Sequence, residues 1–315
     1  MDYYQKYQKY RFKYLNLLNQ SGGKYYQEDL DKVRINGLQL KNVNIPNTES
    51  DDLPYFAVCK IAVQQNGLAL QYLKLDEIRN AIKKYEENIY YKKYNIENEK
   101  ITNKIYKENF IKYLNDYKED ISEICRLAFE QNILAFKHVN NIIKIIINIK
   151  PDLIIIDKTI YYNMCIKAVE RDGNELEHVR DYNLSSTPIS FGGDKPYEVI
   201  CKAAVQQNGF SLIHVPTNII PIVSRQIMEL AVQQNGLVLK YINDNDRYNG
   251  AKLGDKKEVF NPICPTYYEI ICKEAVKQNS LALKFVDKEK MDDTEYKNIC
   301  DLAVKQNPDA IKYIK

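Results

Sequence analysis

Residues 62–73 read AVQQNGLALQYL, and near copies follow at 204–215 (AVQQNGFSLIHV), 231–242 (AVQQNGLVLKYI), 275–286 (AVKQNSLALKFV) and 303–314 (AVKQNPDAIKYI). A recurring segment of this kind limits the fold more than any compositional figure. Every copy must adopt the same local structure, and a unit this small cannot bury its apolar face without neighbours.

Aligned on Ala62, Ala128, Ala168, Ala204, Ala231, Ala275 and Ala303, the copies show apolar columns on both sides of the anchor. Seven residues before it stand Tyr55, Ile121, Tyr161, Tyr197, Ser224, Tyr268 and Tyr296. Four before it the column is Val58, Ile124, Met164, Ile200, Ile227, Ile271 and Ile299. Three before it the column is Cys59, Cys125, Cys165, Cys201, Met228, Cys272 and Cys300, and Val or Phe follows the anchor. Spacing at i, i+3, i+4, i+7 and i+8 is the buried stripe of an α-helix.

Four residues past the anchor come Asn66, Asn132, Asp172, Asn208, Asn235, Asn279 and Asn307, all good N-cap residues. The next column is Gly67, Ile133, Gly173, Gly209, Gly236, Ser280 and Pro308. Pro cannot take a positive φ and is favoured at the first position of a helix, so the Asn column caps a second helix rather than ending the first. That second helix is short. It carries apolar columns ending at Leu70 and Leu73 and their equivalents, with Tyr72, His138, His178, His214, Tyr241, Phe285 and Tyr313 between them.

Anchor spacings of 66, 40, 36, 27, 44 and 28 give a minimal unit of about 27 residues with insertions at 74–120, 180–195 and 243–265. A weaker copy, VRINGLQLKNV, lies at 33–43, and FIKYL at 110–114 resembles a repeat's tail. The expected fold class is all-α, an irregular α-solenoid of helix–turn–helix repeats with seven clear copies over residues 24–315. Residues 1–23 lack the repeat columns. Tyr3, Tyr7, Tyr10 and Tyr14 make an aromatic stripe among Lys6, Lys9, Arg11 and Lys13, and Gly22 and Gly23 end the segment. It is expected to be a separate basic and aromatic helix, serving as an address or as a cap on the first repeat, with binding to an anionic membrane surface the least favoured alternative.

Composition narrows the function classes. Lys and Arg number 45 against 42 Asp and Glu, a net charge of +3, too small for a dedicated polyanion binder. The most apolar run, Ile142–Ile156, is broken by Lys144, Lys150, Pro151 and Asp152 and is too short to span a bilayer. No secretory signal is visible, so an intracellular protein is expected and the sequons at Asn19 and Asn183 are read as chance matches.

The columns also remove candidate active sites. Six of the seven cysteines share one core column that Met228 fills elsewhere, there is no CxxC, and Cys264 stands apart in an insertion. All three histidines share the column that Phe285 can occupy, which no catalytic base tolerates. SGGK (21–24), FGGDK (191–195) and GAKLGDKK (250–257) miss the phosphate-loop spacing, and Asp51–Asp52 and Asp292–Asp293 sit beside helix starts. Neither a catalytic site, a cofactor site nor a metal site is expected.

Two features remain for binding. Lys60, Arg126, Lys202 and Lys273 share one column, interrupted by Glu229 and Asp301; Lys137, Lys240, Lys284 and Lys312 share another, interrupted by Glu177. Such ladders can track phosphates but more often form a solvated face. The insertions are the second feature, because insertions in repeat arrays often carry recognition.

The unit YEIICKEAVKQNSLALKFV (268–286) resembles the repeat of the domain-of-unknown-function 4116 family of giant viruses, bacteria and protists, through its Cys, Ala-Val, Asn-Gly and Leu columns. The resemblance covers most of residues 54–315, although the insertions depart from that family's more even spacing. The Lys/Tyr-rich start ending in Gly-Gly is similar to a leader of mimivirus-type proteins. The resemblance implies a large DNA virus of amoebae, with the protein in the host cytoplasm (virus factory) or the virion, and carries no biochemical activity. The expected function is a non-catalytic scaffold binding a viral or host protein. The alternatives are a nucleic-acid-associated repeat or a structural component of the particle.

Overall fold

A computed structural model describes residues 24–43, 53–76, 118–149, 156–179, 195–215, 221–244 and 265–315, with the isolated positions 108, 111 and 115. The segment 1–23, most of the three insertions, the glycine loops and Cys264 lie outside the described residues. Every element among the described residues is helical. The α-helices are α1 (Lys24–Ile35), α2 (Leu53–Gln65), α3 (Lys118–Gln131), α4 (Phe136–Ile149) and α5 (Lys158–Arg171). They continue as α6 (Pro196–Gln207), α7 (Pro221–Gln234), α8 (Leu239–Asp244), α9 (Pro265–Gln278) and α10 (Asp293–Gln306).

Each α-helix that carries an anchor stops one residue short of a 3-10 helix, and the residue between them is the Asn or Asp of the cap column. Asn66 has φ −150° and ψ 108°, and its side chain accepts the Leu68 N–H at 3.0 Å. Asn132, Asp172, Asn208, Asn235, Asn279 and Asn307 repeat that geometry. The anchor carbonyl closes the last turn of the α-helix on the same residue: Ala62 O accepts the Asn66 N–H at 2.9 Å, and Ala231 O accepts the Asn235 N–H at 2.9 Å. One side chain therefore begins the second helix while its own backbone ends the first. The weak copy at 33–43 belongs to the series, since Asn36 caps a 3-10 helix over Gly37–Asn42.

The second helix differs from the sequence expectation in pitch. In most copies it is a six-residue 3-10 helix, as in Gly67–Tyr72 and Ser280–Phe285. Only after Ile133–Ala135 and Gly236–Val238 does the chain relax into α geometry, as α4 and α8. Six residues are too few to repay α-helix nucleation, and tighter 3-10 turns are the usual form of so short a piece.

The chain divides into two compact units, Met1–Asp157 and Lys158–Lys315. In the first, α1 packs on α2 and α2 on α3. In the second, α5 packs on α6, α6 on α7, α7 on α9 and α9 on α10, and successive 3-10 helices also touch. The buried positions are the sequence columns: Val58, Cys59, Ala62, Val63 and Leu70 in one copy, and Ile271, Cys272, Ala275, Val276 and Leu283 in another, are almost wholly removed from solvent. Each large aliphatic side chain buried in this way contributes about 1.5–3 kcal/mol relative to exposure.

Candidate functional site

A repeat can display a site only on side chains that its own structure does not consume. The anchors Ala62, Ala128, Ala168, Ala204, Ala231, Ala275 and Ala303 are all buried. Their small side chains let helices approach closely. At Gly209 an added Cβ would sit 2.5 Å from the Ala231 carbonyl oxygen of the next repeat. No positive φ is involved. The Gly column is explained by inter-repeat clearance, and the contact is backbone against backbone.

A further column, just ahead of the caps, was not singled out from the sequence: Gln65, Gln131, Gln207, Gln234, Gln278 and Gln306, with Arg171 in the remaining copy. Its role is to couple repeats. Gln65 Oε1 accepts the Gly37 N–H at 2.6 Å, Gln207 accepts that of Gly173 at 2.6 Å, Gln234 that of Gly209 at 2.7 Å, and Gln278 that of Gly236 at 2.6 Å. The same amides donate backwards through Nε2, from Gln207 to Arg171 O at 3.2 Å and from Gln278 to Gln234 O at 3.3 Å. In the copies that begin with Gly37, Gly67, Gly173, Gly209 and Gly236, the first N–H of the 3-10 helix, which has no partner inside that helix, is thereby satisfied by the following repeat. The signal was present in the sequence as identity rather than polarity: a solvated position has no reason to choose Gln six times.

The cysteine column lies in the core. Cys59, Cys125, Cys165, Cys201, Cys272 and Cys300 are free and buried. Burial pushes the Cys125 and Cys272 thiols up to about 12, and it raises Cys59, Cys165 and Cys300 as well. A thiol held protonated is neither nucleophile nor metal ligand. Four of these cysteines also pair with the tyrosine one turn earlier: Cys59 with Tyr55, Cys165 with Tyr161, Cys272 with Tyr268 and Cys300 with Tyr296. The tyrosine hydroxyl ties the two helices of a repeat together. Tyr55 accepts the Lys74 N–H at 3.1 Å, Tyr268 that of Asp287 at 2.9 Å and Tyr296 that of Lys315 at 2.8 Å. Cysteine here is more than a small apolar filler, because its polar partner is built into the same column set.

The two basic ladders separate sharply. In the first, Lys60 bonds Asp120 at the start of the next described helix at 2.6 Å, with both side chains mostly covered. Arg126 grips Glu123 at 2.9 Å and Glu130 at 2.6 Å, Lys273 pairs with Glu295 of the next repeat, and Lys202 is also engaged. These charges are spent internally rather than forming a solvated face. In the second ladder, Lys137, Lys240, Lys284 and Lys312 point outward from the second helices and are exposed. Lys240, Lys284 and Lys312 lie over the rings of Tyr241, Phe285 and Tyr313 at 5.9, 4.6 and 5.2 Å from the centroids.

Apart from Tyr241, which is exposed, the imidazole and aromatic column is half-buried along this outward face. Phe210, in the 3-10 helix Gly209–His214, meets Tyr241 of α8 in the next repeat edge-on at 5.8 Å. His138, His178 and His214 occupy the same half-buried position. Burial lowers the His214 pKa, Glu177 opposes that shift and His178 adds to it. Among the described residues no group of His, Cys, Asp and Glu is arranged to hold a metal ion. Of the paired carboxylates, Asp292 caps α10 by accepting the Thr294 N–H at 2.8 Å. No helix among the described residues is long and apolar enough to cross a membrane.

No protein-family model, no curated protein and no solved structure matches this chain.

Proposed function

We propose that this chain is a non-catalytic α-solenoid whose 3-10 helices present a recognition surface for another protein. The observation that supports this most is the division of labour within the repeat. Asn caps, Gln couples, Tyr ties the two helices and Cys lies in the core, whereas the residue two after the Ala69 position is exposed and takes Gln, Glu, Ile or Lys. That position reads Gln71, Lys137, Glu177, Ile213, Lys240, Lys284 and Lys312, and every one is exposed. A fixed frame with a variable exposed edge is how repeat arrays recognise partners. The kinship with domain-of-unknown-function 4116 repeats, a large-DNA-virus source and a place in the host cytoplasm or virion belong to the same proposal, resting on the sequence columns.

Association with nucleic acid is the second reading, and it draws on the Lys–aromatic pairs of the outward ladder. Against it, the first basic ladder is engaged in internal contacts, and the ammonium groups cover ring faces that stacked bases would need. The test is affinity capture from the producing cells with cross-linking mass spectrometry. Cross-links should fall on the outward face, and Ile213→Asp and Tyr241→Ala should each abolish capture, with Ile213→Asp leaving the melting temperature unchanged. Capture indifferent to both substitutions contradicts the reading.

A further inference from the structure

The outward lysines are not spread evenly over the repeats. The column is Gln71 and Lys137 in the first unit and Glu177 and Ile213 early in the second, and then becomes positive in three consecutive copies, Lys240, Lys284 and Lys312. Among the described residues none of these three lies in an ion pair, in contrast to Lys60, Arg126 and Lys273. Each stands over an aromatic ring one residue on. Lys240 lies on α8, which packs on the 3-10 helix Ser280–Phe285 that carries Lys284, and that helix in turn touches Pro308–Tyr313, which carries Lys312.

From this we infer that the surface formed by Lys240, Lys284 and Lys312 with Tyr241, Phe285 and Tyr313 binds an extended acidic polypeptide segment with carboxylates at every third residue. The inference rests on the scaffold reading above and deepens it. Packed helices stand about 8–10 Å apart, so successive ammonium groups recur at about that interval. A polyproline II strand rises about 3.1 Å per residue with three residues per turn, which returns to the same face after about 9 Å. Carboxylates at i, i+3 and i+6 of such a strand therefore meet one lysine per repeat. Its intervening residues lie on the ring edges of exposed Tyr241 and half-buried Phe285 and Tyr313, which offer apolar contact at low entropic cost.

Nucleic acid satisfies the charge but not the rings. A stacking base needs an open ring face, and here one face lies under the neighbouring lysine while Tyr241 also meets the Phe210 ring. An acidic polypeptide needs only the ammonium groups and the ring edges.

The test is fluorescence anisotropy on the full chain with three labelled probes of equal charge: (Glu-Pro-Pro)3, a peptide of the same composition with its glutamates clustered, and a short oligothymidylate. The spaced peptide should bind more tightly than the clustered one. The triple variant Lys240→Gln, Lys284→Gln, Lys312→Gln should weaken it by about tenfold or more, because exposed ion pairs contribute about two- to fivefold each and the three multiply. The single variant Lys284→Gln should shift in the same direction, which keeps the reading available if the triple variant folds poorly. Equal affinity for the two peptides, no binding of either, or no change in the variants overturns the inference. So does tighter binding of the oligothymidylate that the same substitutions remove. If capture still depends on Ile213 and Tyr241 while the peptide arm fails, only the acidic ligand is wrong; if both fail, the scaffold reading falls with it.

Discussion

The side-chain amide of Gln234 bridges two repeats: its Oε1 accepts the Gly209 N–H at 2.7 Å and its Nε2 donates to the Gln207 carbonyl at 3.3 Å. Gly209 is buried, so its N–H has no water to fall back on. Gln234→Ala should therefore cost about 1–3 kcal/mol, the usual penalty for leaving a buried donor unmade. Denaturant melts that put the loss below about 0.5 kcal/mol would contradict this.

Gly209→Ala tests the other half of that contact. The new methyl would lie 2.5 Å from Ala231 O, 3.0 Å from Gln234 Oε1 and 3.2 Å from Val238 Cγ2, so backbone must move. The expected loss is about 1–3 kcal/mol, typical of overpacking, where Gly→Ala in an ordinary helical position stabilises. A melting temperature equal to or above wild type contradicts the clearance argument.

Much of this was legible beforehand, and the reasons are local. Asn235 could be read as a cap because Pro308, one column on, forbids the glycine C-cap alternative. Cys59 and Ala62 could be placed in the core because helical spacing alone fixes the buried stripe. The 3-10 pitch of Gly67–Tyr72 was not legible, since a period of 3.0 and one of 3.6 put nearly the same residues inward over six positions. The partners of Lys60 and Lys273 were hidden for a different reason. Asp120 and Glu295 are distant in sequence, and only the stacking of helices brings them together. On the outward face, the exposure of the lysine column could be guessed from polarity, but the contrast between the two ladders could not.

The cysteine column should answer to polarity and not to metal or redox. Cys201 is wholly buried, and Cys201→Ser should destabilise by about 1–3 kcal/mol through an added, poorly satisfied hydroxyl. Chelators and reducing agents should leave the melting temperature unchanged. Stoichiometric zinc in the purified protein, lost together with stability, contradicts the structural role.

His214 should give a small acid sensitivity. Burial holds the His214 pKa below its ordinary 6.5, so the folded state disfavours the imidazolium. The contribution is present above about 6.5 and is lost as pH falls through the lower folded-state value. His214→Phe, the substitution that Phe285 already represents in this column, should flatten the stability profile below neutrality. An unchanged acid limb in the variant removes the role assigned to this side chain.

The most direct test of the claim that the repeating polar residues join neighbours rather than serve a ligand is amide hydrogen exchange at Gly209 and Gly236. Gln234→Ala should speed exchange at Gly209 well beyond its effect at Gly236, and Gln278→Ala should do the reverse, because each glycine donates to the glutamine of the repeat that follows it. Exchange at both glycines that is unchanged, or raised equally by either substitution, contradicts the account.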